Sequence, residues 1–206
     1  MRRTSAQTRE HVLDVVHELF YWQGIRSVGV DRIAADAEVA PTTLYRLFSS
    51  KDELIGAYVE RADERYRAWF LAAEEAGGED PRLRVLAVFD ALAEQVRPEL
   101  CRGCPFQMTI AEFPDHALAA HRNAVATKAW VRARFGVLAE SYAATVTGAD
   151  PQAIADQLFL VMEGVYASVM TLGADGPAAR ARALVDLVLT HPSRPGEAHR
   201  EHDVVE

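Results

Sequence analysis

Two cysteines in 206 residues are too few for a disulfide framework, so a reducing cytoplasm is the expected setting. Alternating β-branched runs are scarce, while Ala, Leu, Glu and Arg dominate, which points to an all-α protein. The most apolar stretch, 158–170, contains Glu163 and follows Asp156 and Gln157, so it is expected to fall short of a membrane span. Arg2 and Arg3 are not followed by an apolar run, so no signal peptide is expected. There is no G-x-S-x-G, no phosphate-binding glycine loop and no H-E-x-x-H. The expectation is therefore no enzyme, no catalytic residue and no cofactor.

Half of the residues are apolar and a quarter are charged, an ordinary globular composition. The net charge of −8 argues against indiscriminate nucleic-acid binding. It is unevenly spread. Residues 1–56 carry seven basic and eight acidic side chains, and residues 57–206 carry fifteen and twenty-two. A local DNA surface, if present, belongs in the nearly neutral first part.

Hydrophobic periodicity divides the chain into helices. Val12, Val15, Val16, Leu19 and Phe20 form one apolar stripe, closed at Gly24. Short helices are predicted over 30–37 and from Pro41, with a tight turn at Glu38-Val39-Ala40 between them. Lys51 opens a long helix striped by Leu54, Ile55, Tyr58, Val59, Ala62, Tyr66, Trp69 and Phe70; it is expected to join two parts of the chain rigidly. Gly77-Gly78 is the best linker candidate. A helix from Pro81 turns Leu86, Phe89, Leu92, Ala93 and Val96 inward and stops at Pro98. A short helix falls within 101–114, a long one runs to about Thr147, and two more cover 152–172 and 177–190. The polar tail 192–206 reads as disordered.

Residues 30–47 have the pattern of a helix-turn-helix. Ala34 is small where two helices must cross, and Ile33, Ala37, Val39, Leu44 and Leu47 fill the wedge. Glu38 stands where glycine often serves, because the turn tends to need φ > 0. The run from Ile33 through Thr42-Thr43-Leu44-Tyr45-Arg46-Leu47-Phe48 to Lys51-Asp52-Glu53-Leu54, with Glu18-Leu19-Phe20 and Gly24 before it, resembles the DNA-binding signature of the TetR family.

The resemblance implies an N-terminal three-helix DNA-binding domain (1–52) and a larger helical effector-binding and dimerisation domain (53–191). Thr42 and Arg46, on the recognition helix, are placed to reach base edges in the major groove. Thr43 and Tyr45 bring hydroxyls to phosphate oxygens, and Lys51 adds its charge at the start of the next helix. Ser27 and Arg32 join the interface, and Arg2, Arg3 and Arg9 are within reach of the backbone. Such proteins bind palindromic operators as homodimers, with half-sites about 34–36 Å apart. The helices 152–172 and 177–190 are the dimer candidates. The family implies a repressor released by a small apolar or aromatic effector. Its lining is expected from Tyr66, Trp69, Phe70, Phe89, Phe106, Met108, Phe113, Trp130 and Tyr166.

Cys101, Cys104, His116 and His121 nearly match a zinc-finger spacing, C-x2-C-x11-H-x4-H, but the intervening segment lacks a hairpin pattern, so no metal site is expected. Arg102 between the thiols favours a thiolate, which leaves a thiol- or metal-responsive regulator as the alternative. His11, His17 and the pairs Glu74-Glu75 and Glu79-Asp80 are expected at the solvated surface.

Overall fold

The computed structural model describes residues 3–97, 99–173 and 175–194, and no strand occurs among them. Helix α1 is Ser5–Gln23. Thr4 closes its N-terminus as a capping box: Thr4 Oγ1 accepts from the Gln7 N–H (3.2 Å) while Gln7 Oε1 accepts from the Thr4 N–H (2.9 Å). Then come α2 (Val30–Asp36), α3 (Pro41–Leu47), α4 (Lys51–Glu75), α5 (Pro81–Gln95), α6 (Pro105–Glu112), α7 (Ala119–Ala143) and α8 (Pro151–Leu172). A short 3-10 turn, Pro177–Arg180, leads into α9 (Ala181–Thr190). Five elements begin at a proline, whose missing N–H has no partner to lose at that position. Asp80 and Asp150 cap α5 and α8 through their carboxylates. The predicted stop at Pro98 lies outside the described residues, as do 195–206 of the tail.

The chain gathers into two compact units. One comprises Met1–Arg67 with Cys104–Lys128, the other Ala68–Gly103 with Ala129–Glu206. Helices α4 and α7 contribute residues to both. In the first unit α1, α2 and α3 pack on one another around Val12, Val16, Phe20, Ile33, Leu44 and Phe48, all buried. Arg61 donates to the Glu10 carbonyl (2.8 Å) and to Asp14 (2.6 Å), pinning α4 to α1. In the second unit α9 packs on α8 and α5, over Val85, Phe89, Phe135, Leu138, Leu158 and Leu189. Ala93, expected inward on α5, is exposed, and Val85 and Val88 fill the core instead.

The structure differs from four of the expectations. Glu74 is 1% exposed, not solvated: it accepts from Arg134 Nε and Nη2 (both 2.6 Å) and from Arg84 Nη2. Gly77-Gly78 is a turn within the second unit rather than a linker: a Cβ at Gly77 would lie 2.4 Å from the Arg84 Cα, and Gly78 takes φ 69. Helix α8 does reach the length and apolarity of a membrane-crossing segment. Its Ile154, Leu158, Met162, Val165, Tyr166 and Val169 are nevertheless buried within the second unit, as in the core helix of a globular protein. The fourth correction concerns the histidines. His11 is half-buried with Nε2 3.1 Å from the Ala37 carbonyl oxygen.

His17 is also half-buried, stacked on Tyr21 (5.9 Å) and tilted against Tyr58 (6.0 Å). Burial first, then Arg65, pushes its pKa below the ordinary 6.5, against the smaller pull of Glu18 and Asp14. The unfolded chain therefore takes up a proton before the folded one does. The stability that neutral His17 contributes is intact above pH 6.5 and is lost as pH falls below it. Between pH 7 and 5 the melting temperature of wild type is expected to fall further than that of His17→Gln (pH values set by the histidine range of about 5–8). Parallel melting curves for the two proteins would contradict it.

Candidate nucleic-acid interface

The helix-turn-helix is built by α2 and α3. Ile33, Ala34, Ala37 and Leu44 are buried between them, and Val39 and Leu47 are half-buried. Glu38 sits at φ 54, in the left-handed region the turn was expected to need. A non-glycine residue there costs about 1 kcal/mol. The N–H groups of Glu38 and Val39 donate to the Ala35 (3.1 Å) and Ala34 (3.0 Å) carbonyls, which fixes the turn.

On α3 only Leu44 is buried. Thr42, Tyr45 and Arg46, spaced i, i+3 and i+4, share the exposed face, and Thr43 is half-buried. Tyr45 is 54% exposed, with its ring and hydroxyl turned to solvent rather than into the core. Helix α4 starts at a tightly bonded corner. Ser50 Oγ accepts from the Glu53 N–H (3.1 Å), and Glu53 Oε2 accepts from the Ser49 N–H (2.8 Å) and hydroxyl (2.5 Å). Those bonds from Ser49 hold the Glu53 carboxyl below its usual range.

The structure brings Lys51 and Ser27 to one place, the turn between α1 and α2. Lys51 Nζ donates to the Ile25 carbonyl (3.1 Å). The Ser27 hydroxyl proton is directed at its own chain, toward the Gln23 (2.6 Å) and Gly24 (2.8 Å) carbonyls. Arg32 stands elsewhere, on the exposed side of α2, paired with Asp36 (2.7 Å). The Arg9 guanidinium lies 4.9 Å over the Phe48 ring, Arg3 is exposed, and Arg2 lies outside the described residues. Two residues absent from the sequence reading, Arg26 and Glu112, also hold this turn. They bond across 86 residues of chain, a separation at which no periodicity gives a signal.

The residues expected to line an effector pocket fall into two aromatic groups, one in each unit. In the first, Tyr66 meets Phe106 edge to face (5.5 Å), Phe113 is buried and Met108 half-buried. Phe113 also borders a cavity of about 160 Å³, below the roughly 300–1,000 Å³ of drug-sized ligand sites. In the second, Phe70 meets Trp69 (6.2 Å), Trp130 (5.6 Å) and Phe135 (5.3 Å), and Phe89 stacks on Phe135 (5.7 Å). The Tyr166 hydroxyl donates to Gln95 Oε1 (2.6 Å). Phe135, on α7, joins this group as well.

Cys101 and Cys104 are both buried and both free thiols. His121 is buried with Nδ1 2.8 Å from the Phe113 carbonyl oxygen. Among the described residues no three of His, Cys, Asp or Glu assemble as a metal-binding group. The thiol- or metal-responsive alternative is not favoured.

Fold and site together define an all-helical protein with an N-terminal helix-turn-helix head. Residues 12–58 match the family described as bacterial regulatory proteins, tetR family, and residues 81–185 match the tetracyclin repressor-like C-terminal domain. The chain belongs to the TetR family of transcriptional regulators. It is similar to the crystal structure of a TetR-family transcriptional regulator from Streptomyces coelicolor, at 32% identity and TM-score 0.83, covering 90% of this chain and 95% of that one. A TetR transcriptional regulator from Chloroflexus aurantiacus shares the fold at 24% identity and TM-score 0.80, over 94% of this chain and 99% of that one. Among curated proteins, the HTH-type transcriptional regulator TcmR of Streptomyces glaucescens is 35% identical over 98 residues, 47% of this chain. The chain spans 42% of the length of TcmR.

Proposed function

We propose that this protein is a homodimeric repressor that binds a palindromic operator in the bacterial cytoplasm and is released by a small apolar or aromatic effector. The observation that carries the reading is the exposed face of α3, where Thr42, Tyr45 and Arg46 stand clear of a helix anchored by Leu44. Thr42 and Arg46 read base edges. Thr43, Tyr45 and Lys51 contact phosphates, with Ser27 and Arg32 at the edge of the same interface. The Lys51 amine has three donors and gives one to Ile25, which leaves two for a phosphate. Residues 1–52 serve as the reading domain and 53–191 as the regulatory one.

Dimerisation is assigned to α8 and α9. Leu160, Leu184 and Leu187 are 67%, 48% and 56% exposed, and a groove of about 310 Å³ runs between Leu160, Val161, Gly164, Ser168, Ala181 and Leu184. A Cβ at Gly164 would meet nothing within 4 Å, so a second helix has room to approach. The effector is assigned to the aromatic and methionine residues within each unit taken by itself: Tyr66, Phe106, Met108 and Phe113 in the first, Trp69, Phe70, Phe89, Trp130 and Tyr166 in the second. A ligand that favours the non-binding form by a few kcal/mol lowers operator affinity by the corresponding factor.

Gel-shift and footprinting on the DNA upstream of the protein's own coding sequence test the reading, with protection of an inverted repeat expected. On that operator Tyr45→Ala and Lys51→Ala should weaken binding to all sequences alike, with Lys51→Ala lowering the salt slope by about 1. Thr42 and Arg46 substitutions should instead change which sequence is preferred, at about 1–3 kcal/mol per lost base contact. Unchanged affinity and salt slope in Lys51→Ala would remove the phosphate role.

A further inference from the structure

Glu112 is the last residue of α6, and its carboxylate grips the turn between α1 and α2. Oε1 accepts from the Ile25 N–H (3.1 Å) and Oε2 from the Arg26 N–H (2.8 Å). Arg26 returns a bond from Nε to the Glu112 carbonyl (2.7 Å), with its guanidinium 5.0 Å over the Phe113 ring. Gly24, at φ 89, opens the turn; a Cβ there would stand 3.5 Å from Glu112 Oε1. Bonds from N–H groups to an ionised carboxylate are about twice as strong as neutral ones, and two from successive residues fix a peptide in orientation as well as position.

The same residue, Ile25, is held from both sides. Its N–H goes to Glu112 and its carbonyl receives Lys51 Nζ. Where Glu112 holds Ile25 therefore decides where the Lys51 amine is held. We propose that Glu112 is a positioning residue for DNA binding, acting through Ile25 on Lys51 and so on the phosphate that Lys51 contacts. This rests on the DNA-binding reading above. Glu112 touches no DNA in this scheme, and the Arg26 bonds keep the turn in place against α6.

The relay has a sign that simple electrostatics does not share. Removing a carboxylate near DNA lowers repulsion and should strengthen binding. Loss of the relay should weaken it. Glu112→Gln keeps the size of the side chain but sets an NH2 group against one of the two N–H donors. In the full-length dimer on the footprinted operator it is expected to bind about tenfold more weakly and to lose about 1 from the salt slope, as Lys51→Ala does. The double variant with Lys51→Ala should be no worse than Lys51→Ala alone, because the two act in series. Amide exchange at residues 25 and 26 should quicken in Glu112→Gln.

Glu112→Asp, which retains the charge but falls short of both N–H groups, is the second variant should Glu112→Gln fail to fold, and the same losses are expected of it. Equal or tighter binding by the variant overturns the inference, as does a double variant whose losses multiply. A wild-type protein with no specific, salt-dependent binding overturns the DNA-binding reading and the relay with it. A wild type that binds beside an equally competent Glu112→Gln overturns the relay alone.

Discussion

Leu160→Glu with Leu187→Glu is expected to give a folded monomer whose operator affinity is lower by about a hundredfold or more. Both leucines are more than half exposed, on helices whose opposite faces bury Leu158, Met162, Val185 and Leu189. A glutamate at either place therefore disturbs no internal packing. It places charge in the proposed interface, where an apolar core would exclude it, and a two-fold interface presents each change twice. The loss at the operator follows from geometry. One reading head engages one half-site, and without a tethered partner the second half-site no longer adds to retention. Sedimentation and gel-shift together check it. A variant that stays dimeric would show that α8 and α9 are not the interface, and a monomer that binds the operator as tightly as wild type would show that binding does not need two reading heads.

Glu74→Ala should cost about 3 kcal/mol of stability, at the lower end of what breaking a buried ion pair costs. Glu74 is nearly inaccessible and is the common acceptor of Arg84 and Arg134, whose side chains are 32% and 27% exposed. Those guanidinium groups regain some water when the carboxylate goes, which keeps the loss from being larger. For a chain of this size the melting temperature should drop by about 6–12 °C. Replacing all three residues by leucine should recover most of the loss, because the unpaired charges leave with the carboxylate. A Glu74→Ala protein that melts with wild type would mean the carboxylate is not holding α4, α5 and α7 together in this unit.

The reading head was legible because local rules set it. The stripe on α1, the small Ala34, the proline at the start of α3 and the strained turn at Glu38 all lie within a few residues of what they organise. The helix order was legible for the same reason, with errors at ends such as the close of α7 at Ala143, about a turn before Thr147. What escaped depends on distant partners. Glu112 and Arg26 have unremarkable local settings, and only folding brings them to one turn. His17 reads as surface on α1 alone, and is covered once Tyr58 of α4 packs beside it. Glu74 offered one overlooked sign: it falls four residues after Phe70, on the buried stripe of α4, where a charge requires a partner. Aromatic character alone does not mark an effector site, because aromatic rings at helical spacing also serve to pack a core, as Phe70, Phe89 and Phe135 do.

The most direct test of the account is selection of DNA by the full-length protein from a random-sequence duplex pool, followed by a footprint of the enriched sequence. The account predicts one inverted repeat, with half-sites about one helical turn apart, whose preferred bases change in Arg46→Ala. Failure of the folded, dimeric protein to enrich any sequence would contradict it.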